Sequence, residues 1–326
     1  MVNETYNKFS YFDPIIDLIP LVDKKMREQS EGSHQYLHDA LSQLLDSGGK
    51  RIRSAIALLI SSMLHVNKEE MITLAAAVEM LHTATLVHDD LIDGALLRRG
   101  NPTLNSKWSI GATILTGDYF FARAAKLAAE TNSLKIMNMF ANKLSIVVNG
   151  EVIQLFNKHG KSSMDDYFKK INGKTGSLFE MASIAPVYLS TNDGEQVKKL
   201  GLFGSNIGMA FQIVDDVLDY SGDQTQVGKP IVSDLRQGLV TLPALYYLEE
   251  NPEDPRFEKY VINGDDENGD MDGLIDDILN SGAVEKAIGK AKEITEVGLK
   301  ALDDFMDCEE KEALFKLARS NINREF

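Results

Sequence analysis

Cysteine is nearly absent from the 326-residue sequence, with Cys308 as its one example. A single cysteine excludes an intramolecular disulfide and indicates a reducing, cytoplasmic setting. No Gly/Ser-rich or Pro-rich linker divides the chain, so we predict one domain over residues 1–326. The first residues, Met-Val-Asn-Glu-Thr-Tyr-Asn-Lys, lack the apolar core of a signal peptide. Apolar runs such as residues 55–60 are too short to span a bilayer, so no transmembrane segment is expected.

Basic residues are scarce in this sequence. Its 34 Lys and Arg stand against 49 Asp and Glu, which gives a formal net charge of −15. Such a charge repels polyanions and argues against nucleic acid as a partner. A polyanionic ligand must therefore be met by local groups of cations and by metal ions, which makes the positions of the few cations informative.

Runs of alternating β-branched residues bounded by turns are also lacking, whereas helical periodicity dominates nearly the whole chain. We therefore predict an all-α fold. Loops are predicted at residues 47–49, 99–102, 172–174, 221–223 and 251–273. The predicted helices cover residues 13–29, 33–46, 51–64, 68–93, 105–130, 132–157, 175–190, 193–219, 236–250, 272–281, 283–306 and 308–320.

Two identical aspartate patterns end apolar helical segments. The first follows the apolar residues 72–87 and contains Asp89, Asp90 and Asp93. On a helix, side chains four residues apart share a face, so Asp89 and Asp93 can hold one cation from the same side. One such pattern is weak support for a metal site, since most acidic clusters are solvated. Its repetition indicates a pair of metal clamps, and the second pattern consists of Asp215, Asp216 and Asp219.

The few cations cluster in glycine-containing loops near these segments. The run Gly48-Gly49-Lys50-Arg51-Ile52-Arg53 begins a predicted helix, where free N–H groups beside Lys and Arg form a site for phosphate. Alone, it would more simply be a basic surface turn. The other clusters are Arg98-Arg99-Gly100, Gly173-Lys174-Thr175-Gly176 and Gly228-Lys229-Pro230. Aspartate pairs with several such cations suit two diphosphates bound through Mg²⁺, with Mn²⁺ as a substitute.

With these motifs, their order and their spacing, the sequence resembles the trans-isoprenyl diphosphate synthases, the polyprenyl synthetase family. The resemblance extends from the Gly48-Gly49-Lys50 run to Asp234-Leu-Arg-Gln-Gly238 and Thr241-Leu-Pro243. It implies an all-helical single domain with a central cavity between the helices that bear the aspartate motifs. It also implies a homodimer that condenses isopentenyl diphosphate with an allylic diphosphate, using three Mg²⁺ ions per active site.

The resemblance implies a role for each matching residue. Asp89, Asp90, Asp93, Asp215 and Asp219 would bind Mg²⁺ on the allylic diphosphate, while Asp216 would support that set. Isopentenyl diphosphate would be held by Lys50, Arg53, His82 and Arg99. The allylic diphosphate would be held by Arg98, Lys174 and Lys229. Thr175 and Gln212 would line the reacting carbons.

Simpler interpretations stay open for some of these residues. His82 lies on an apolar helix and, judged alone, would more often be a core histidine. Gln212 could equally be a buried amide that bonds to a neighbouring helix. We interpret His88 as a structural residue, because only His82 matches the substrate position.

The residues before the first aspartate motif predict the length of the product. Thr85, Ala84 and Leu81 precede Asp89 by four, five and eight residues. They therefore lie roughly 6, 7.5 and 12 Å along the helix. In this family, large aromatic side chains at the first two positions are associated with short products. Since Ala84 and Thr85 are small, we expect products longer than farnesyl, in the hexaprenyl to decaprenyl range, with geranylgeranyl as the shorter alternative. Leu81, or Met137 or Phe140 on a neighbouring helix, would end the cavity.

Two departures from the family pattern qualify the assignment. The first motif lacks the two-residue insertion of bacterial-type farnesyl synthases, and Leu239 stands where many relatives carry a lysine. A terpene cyclase would share the first aspartate motif but would not need the Lys50 run or Arg99. A non-catalytic subunit should have lost aspartates from one motif, and all six are present. An enzyme that requires a partner chain remains an alternative.

Overall fold

The structure is a computed structural model that describes residues 8–156, 162–221, 232–264 and 271–322. These residues are mostly helical, which confirms the all-α prediction. The helices are α1 (Ile19–Arg27), α2 (Gln35–Asp46), α3 (Ile52–Met63), α4 (Lys68–Ile92), α5 (Leu104–Lys107), α6 (Ile110–Glu130), α7 (Leu134–Phe156), α8 (Met164–Ile171), α9 (Ser177–Leu189), α10 (Gly194–Ser221), α11 (Ser233–Arg236), α12 (Leu242–Glu250), α13 (Met271–Asn280), α14 (Ala283–Lys300) and α15 (Glu309–Ile322). Ser10–Ile15 and Glu28–Ser30 form 3₁₀ turns, and Asn172–Gly176 and Phe257–Ile262 form π-helical turns.

The helices form two compact units, and the first comprises the residues up to Lys143 together with Leu178–Gly204 and Ala301–Leu317. Helix α4 is central to this unit, because it packs along α6 and also contacts α1 and α3. It has no Gly or Pro and buries most of its Ala, Leu and Met side chains. Asn67 caps its start by accepting a hydrogen bond from the Glu69 N–H at 2.9 Å. The helix therefore presents its far end, with the first aspartate motif, on a rigid support.

The second unit comprises Leu144–Ser177, Ser205–Lys300 and the residues from Ala318 onward. Helix α14 packs against α12 and α13, and its small residues Ala287 and Ala291 are fully buried there. The later part of α10 contributes Ile213, Val214 and Val217 to the same apolar core. These buried residues alternate with the second aspartate motif, so burial of one helix face directs Asp215 and Asp219 away from the core.

Most predicted helices are confirmed, with ends that differ by two residues or fewer. This holds for α2, α3, α4, α7, α9, α10, α13 and α15. The predicted helix at residues 105–130 is interrupted at Trp108 and Ser109, because Ser109 caps α6 by accepting a hydrogen bond from the Ala112 N–H. The predicted helix at 236–250 begins only at Leu242, after Gly238 adopts a positive φ of 76°. The predicted helix at 283–306 ends at Lys300.

Helix α8 was absent from the predicted helices, which leave residues 158–174 without one. Ser163 and Asp166 form a capping box at its start: the Ser163 side chain bonds the Asp166 N–H at 3.2 Å, and Asp166 bonds the Ser163 N–H at 3.3 Å. The predicted loop at 172–174 is also wrong, because these residues belong to a π-helical turn that joins α8 to α9.

A short β-hairpin follows α4 in place of the predicted loop at residues 99–102. Its strands are β1 (Leu97–Arg98) and β2 (Asn101–Pro102), paired antiparallel. Arg99 and Gly100 connect them with positive φ values of 53° and 76°. Two successive residues with positive φ are typical of a type I′ turn, which suits the twist of a hairpin.

Helix α4 is long and apolar enough, by length and composition, to cross a membrane. The sequence expectation that the apolar runs are too short for this is therefore wrong for α4. Most of its apolar window is buried inside the structure, which is also the property of a core helix.

Arg51 connects three separate parts of the first unit. Its side chain, 6% exposed, lies 3.1 Å from an Asp23 oxygen and 3.2 Å from a Glu79 oxygen. Burial raises the pKa of Asp23. Burial has the same effect on Glu79, but the charge of Arg51 and a 2.7 Å hydrogen bond from Ser54 outweigh it and lower the pKa of Glu79. Arg51 also has a positive φ of 45°, directly before α3. The ion pairs therefore hold the turn that carries Lys50 and Arg53.

We expect Arg51→Met to lower the free energy of unfolding by about 3–5 kcal/mol, because it leaves two buried carboxylates without their cation. Arg27→Met is the matched control. Arg27 pairs with Asp46 at 2.6 Å, but both side chains are well exposed, so the loss should stay below about 1 kcal/mol. Urea titrations followed by circular dichroism measure both values. Equal losses for the two variants would contradict a structural role for the buried ion pairs.

Candidate functional site

The first aspartate motif lies at the C-terminal end of α4. Asp89 is half-buried and Asp93 is exposed, whereas Asp90 is buried. The Asp93 N–H donates to the Asp89 carbonyl at 2.9 Å, so the helical spacing persists through the motif. Asp89 and Asp93 therefore keep the same-face arrangement that the sequence predicts.

Asp90 is held by Arg98 of the hairpin. The Arg98 Nε lies 2.8 Å and its Nη2 lies 2.7 Å from Asp90 Oδ1. This contact satisfies one oxygen of a carboxylate that is only 4% exposed. In this arrangement Asp90 orients Arg98, and its binding of a metal ion stays a prediction.

The hairpin turn places Arg99 against the loop before α3. The Arg99 guanidinium donates to the Gly48 carbonyl oxygen. A Cβ at Gly49 would lie 2.7 Å from Arg99 Nη1, so a side chain there would displace the guanidinium. The sequence assigned Lys50 and Arg99 to one diphosphate from two distant motifs, and the structure brings these segments into contact.

His82 is surrounded by positive charge. Burial lowers the pKa of His82 well below its usual value, and the charges of Arg53, Arg99 and Arg98 lower it further. The imidazole is therefore neutral at pH 7. The Arg53 guanidinium lies 4.6 Å from the centroid of the Phe179 ring, which fixes its position. In a chain of net charge −15, this concentration of arginines favours an anionic ligand.

The structure supports the interpretation of His88 as a structural residue. A Cβ at Gly117 would lie 2.4 Å from His88 Cε1, so the imidazole fills the space that a larger residue would need. The ring also stacks on Phe121, with 5.2 Å between centroids, and its Nε2 lies 3.5 Å from Asp118.

The second aspartate motif, on α10, has the same internal arrangement as the first. Asp215 and Asp219 are half-buried, and the middle carboxylate, Asp216, is buried. Asp216 accepts a hydrogen bond from Tyr167 Oη at 2.6 Å and another from Gln212 Nε2 at 2.8 Å. Burial raises the pKa of Asp216 to about 6, although both hydrogen bonds act in the opposite direction. This agrees with a supporting role for Asp216.

Asp219 is positioned by the segment that follows α10. It accepts hydrogen bonds from Ser233 Oγ at 3.0 Å and from the Asp234 N–H at 3.1 Å. These two hydrogen bonds fix the orientation of the Asp219 carboxylate.

Thr175 and Gln212 form a directed hydrogen-bond chain with Asp216. Thr175 Oγ1 donates to Gln212 Oε1 at 2.6 Å, while Gln212 Nε2 donates to Asp216. Because Gln212 Nε2 donates to Asp216, the amide oxygen of Gln212 is turned toward Thr175. The sequence left open that Gln212 is an amide bonded to a neighbouring helix. The Gln212 amide does bond outside its helix, to Thr175 of the π-helical turn, and it also bonds to Asp216 within α10.

Lys174 lies on the same π-helical turn. Its ammonium forms an ion pair with Glu151 on α7, at 2.5 Å. Lys229, the remaining predicted ligand of the allylic diphosphate, lies outside the described residues.

The residues predicted to set product length lie on α4 as expected. Leu81 and Ala84 are fully buried, and Thr85 is 8% exposed. Phe140 on α7 is buried and Met137 is half-buried. Their role in the length of the product stays a prediction.

The aspartates that could hold a metal are oxygen donors of the kind that Mg²⁺ prefers. Within the described ranges, no three carboxylate or histidine side chains converge into a metal site by themselves. Mg²⁺ usually keeps water and substrate phosphates among its ligands and uses only one or two protein carboxylates. The pairs Asp89/Asp93 and Asp215/Asp219 therefore fit an ion that also binds a phosphate.

Tyr167 is a site residue that the sequence reasoning missed. It is fully buried on α8 and fixes Asp216. The capping box at Ser163 and Asp166 was a readable signal for this helix, but the helix has only eight residues, so its apolar periodicity is weak.

Comparison with known proteins identifies the family of the chain. The family model for the polyprenyl synthetases matches residues 34–278. The chain is 34% identical to the octaprenyl diphosphate synthase of Haemophilus influenzae over 285 residues, which cover 87% of each protein. It is 34% identical to heptaprenyl diphosphate synthase component 2 of Geobacillus stearothermophilus, over 88% of this chain and 89% of that protein. The crystal structure of a decaprenyl diphosphate synthase from Rhodobacter capsulatus superimposes with a TM-score of 0.90 at 31% identity, covering 97% of this chain and 99% of that one. The chain therefore belongs to the polyprenyl synthetase family, the trans-isoprenyl diphosphate synthases, whose members are prenyltransferases.

Proposed function

We propose that the protein condenses isopentenyl diphosphate with an allylic prenyl diphosphate, in a reaction that requires Mg²⁺, to make an all-trans polyprenyl diphosphate of the hexaprenyl to decaprenyl range. The observation that carries the proposal is the position of two hairpin arginines beside the first aspartate motif: Arg98 pairs with Asp90, and Arg99 contacts the Gly48 carbonyl in the loop that carries Lys50. The names of the relatives, which include octaprenyl, heptaprenyl and decaprenyl diphosphate synthases, support the expected length of the product.

The residues of this chain bind and orient the two substrates. Lys50, Arg53, His82 and Arg99 hold isopentenyl diphosphate, and Arg98, Lys174 and Lys229 hold the allylic diphosphate. Asp89, Asp93, Asp215 and Asp219 hold the Mg²⁺ ions, with Asp90 as a further ligand of the predicted set. When bound, Mg²⁺ neutralises the charge that develops on pyrophosphate as the allylic C–O bond breaks.

Thr175 supports the carbocation that this cleavage leaves. The Thr175 hydroxyl donates its hydrogen bond to Gln212. The lone pairs of Thr175 Oγ1 therefore face away from Gln212. An oxygen in that orientation offers partial negative charge to a neighbouring cation. The alkene of isopentenyl diphosphate then attacks the carbocation, and the new cation loses a proton to the departing pyrophosphate as the product double bond forms. Catalysis depends on orientation because no protein nucleophile takes part.

The first experiment is to incubate the purified chain with Mg²⁺, isopentenyl diphosphate and either farnesyl or geranylgeranyl diphosphate, and to size the dephosphorylated products. We expect products of the hexaprenyl to decaprenyl range, and no product after removal of divalent metal with EDTA. The double variant Asp89→Asn/Asp93→Asn is the matched control and should lose more than about 100-fold in rate.

The same assay tests a second candidate function, a catalytic subunit that needs another chain. One relative is described as component 2 of a heptaprenyl diphosphate synthase, which favours this alternative. Absence of product with either primer would support it and would contradict a self-sufficient enzyme.

A second prediction concerns product length. We expect Ala84→Phe to end the products at farnesyl or geranylgeranyl when geranyl diphosphate is the primer, because the aromatic ring blocks the path along α4. Ala84→Val, with its smaller side chain, should give intermediate lengths. Chromatography of the dephosphorylated products measures both distributions. If Ala84→Phe makes the same products as the wild type, the cavity floor does not lie at this level.

We further propose that the protein is a cytoplasmic homodimer without a transmembrane segment. The start of α6 carries an exposed apolar patch, in which Ile110 is 67%, Ile114 40% and Leu115 69% exposed. A patch of this kind on a monomer indicates a protein interface, and the family resemblance favours a second copy as its occupant.

Leu115→Asp should convert the dimer to a monomer in sedimentation velocity, because a carboxylate in an apolar interface is costly. Met306→Asp is the control, since Met306 is 88% exposed and lies far along the chain from this patch. We expect this control to remain dimeric. A Leu115→Asp variant that sediments as a dimer would exclude the patch as the interface.

A further inference from the structure

Tyr167 is the first member of a hydrogen-bond chain in the second unit that ends at Thr175. Its hydroxyl Oη donates to Asp216 Oδ2 at 2.6 Å. Gln212 Nε2 donates to the other oxygen of this carboxylate, Oδ1, at 2.8 Å, and Thr175 Oγ1 donates to Gln212 Oε1 at 2.6 Å. The chain therefore joins α8, α10 and the π-helical turn, and each Asp216 oxygen accepts one of the bonds.

The direction of this chain is not determined by Gln212 and Thr175 alone. An amide has a donor end and an acceptor end of nearly the same shape, and a hydroxyl group can either donate or accept. With the Gln212 amide reversed, its NH₂ group would donate to Thr175, and a lone pair of the Thr175 hydroxyl would be used inside the chain. An ionised carboxylate can only accept, so Asp216 selects the arrangement in which the Gln212 oxygen faces Thr175. The direction therefore depends on how the Asp216 carboxylate is held.

Tyr167 supplies the second hydrogen bond to this carboxylate. The tyrosine side chain is fully buried, and its ring packs edge-on against the Phe168 ring, with 5.4 Å between centroids. Burial and the negative charge of Asp216 raise the pKa of Tyr167 well above its usual value, so the hydroxyl keeps its proton and stays a donor at neutral pH. Without this hydroxyl, a carboxylate that is only 5% exposed would lose one of the two hydrogen bonds described above.

The start of α8 fixes the position of Tyr167. The capping box of Ser163 and Asp166 closes the first turn of this helix, and the Tyr167 N–H donates to the Ser163 carbonyl oxygen at 3.0 Å. The Tyr167 ring is part of the buried apolar core of the second unit, to which Val214 also belongs. The terminal torsion of an aspartate is soft, whereas this tyrosine is held at its backbone and its ring. The tyrosine therefore sets the orientation of the Asp216 carboxylate.

We propose that Tyr167 is a positioning residue of the reaction: it holds the Asp216 carboxylate and thereby keeps the Gln212 oxygen, and the donated hydrogen bond of Thr175, in their present direction. The proposal rests on the proposed function, in which the lone pairs of Thr175 Oγ1 support the carbocation. Tyr167 acts through the chain and not on the substrate. It gives α8 a role in the reaction.

The test is steady-state kinetics on the full chain with Tyr167→Phe, which removes only the hydroxyl group. We expect kcat to fall about tenfold, while the KM values for both substrates change less than about twofold, because the cations that hold the diphosphates are untouched. Tyr247→Phe is the matched control. Tyr247 is buried in the same unit, and its Oη donates to Asp254 at 2.7 Å, outside the chain. Its kcat should stay within about twofold of the wild type. An unchanged kcat in Tyr167→Phe, or an equal fall in the control, would overturn the proposal.

A double-mutant cycle separates positioning from a general structural effect. Thr175→Val removes the oxygen that the chain directs and keeps the shape of the side chain. If Tyr167 acts through Thr175, the variant Tyr167→Phe/Thr175→Val should have the kcat of Thr175→Val alone, within about twofold. If the two reductions in kcat multiply instead, Tyr167 does not act through Thr175 and the proposal fails.

Hydrogen exchange of the Gln212 side-chain amide tests the chain without turnover. The NMR signal of this NH₂ group in protein labelled with ¹⁵N-glutamine is assigned by its absence in Gln212→Leu. We expect exchange with solvent to be about tenfold faster in Tyr167→Phe and unchanged in Tyr247→Phe. If the wild type makes no product with either primer, the proposed function fails, and faster exchange in Tyr167→Phe still supports Tyr167 as the residue that holds the chain. If the wild type turns over and this exchange is the same in Tyr167→Phe, only the assignment of Tyr167 fails.

Discussion

Burial of the middle carboxylate is the constraint on which the arrangement of each aspartate motif depends. Asp90 is fixed by Arg98, and Asp216 is fixed by Tyr167 and Gln212. Burying a carboxylate raises the free energy of the folded state unless the carboxylate is hydrogen-bonded or paired. Each middle aspartate accordingly has a bonded partner. That partner is then held in place: Arg98 at the first motif and Gln212 at the second. The outer aspartates, one helical turn apart, remain accessible for cations. In each motif, therefore, the middle aspartate fixes a neighbouring side chain, Arg98 or Gln212, and the outer aspartates share one helix face.

The arginines of the first unit also have structural contacts that determine where their positive charge lies. Arg51 neutralises Asp23 and Glu79 and so fixes the turn that carries Lys50 and Arg53. The interaction of Arg99 with the Gly48 carbonyl links the hairpin to that turn. These contacts of Arg51 and Arg99 also hold guanidinium groups near His82. Burial is the main cause of the low pKa of His82, and the charges of Arg53, Arg99 and Arg98 lower this pKa further.

How much of this could be predicted depends on how local each feature is. The shared face of Asp89 and Asp93 follows from helix geometry alone, and the periodicity around them was strong enough to place α4 within one residue at its end. The pairing of Arg98 with Asp90 could not be predicted in this way. It depends on the hairpin that carries Arg98, and the turn of this hairpin requires a positive φ at Arg99 and Gly100. The ion pair of Arg51 with Glu79 joins residues 28 apart on different helices, and no spacing rule connects them. Tyr167 lay within reach of sequence reasoning through its capping box, but an eight-residue helix carries too few apolar positions to stand out.

The π-helical turn at Asn172–Gly176 shows how backbone geometry separates two chemical tasks. Lys174 pairs with Glu151 on α7, and the next residue, Thr175, donates to Gln212 on α10. The wider turn inserts an extra residue, which changes the direction in which successive side chains project. Gly176 makes room for the Asn172 side chain in this turn, because a Cβ there would lie 2.5 Å from Asn172 Oδ1. π-Helical turns are rare and occur frequently at functional sites. The turn therefore directs the side chains of two adjacent residues to different helices, Lys174 to α7 and Thr175 to α10.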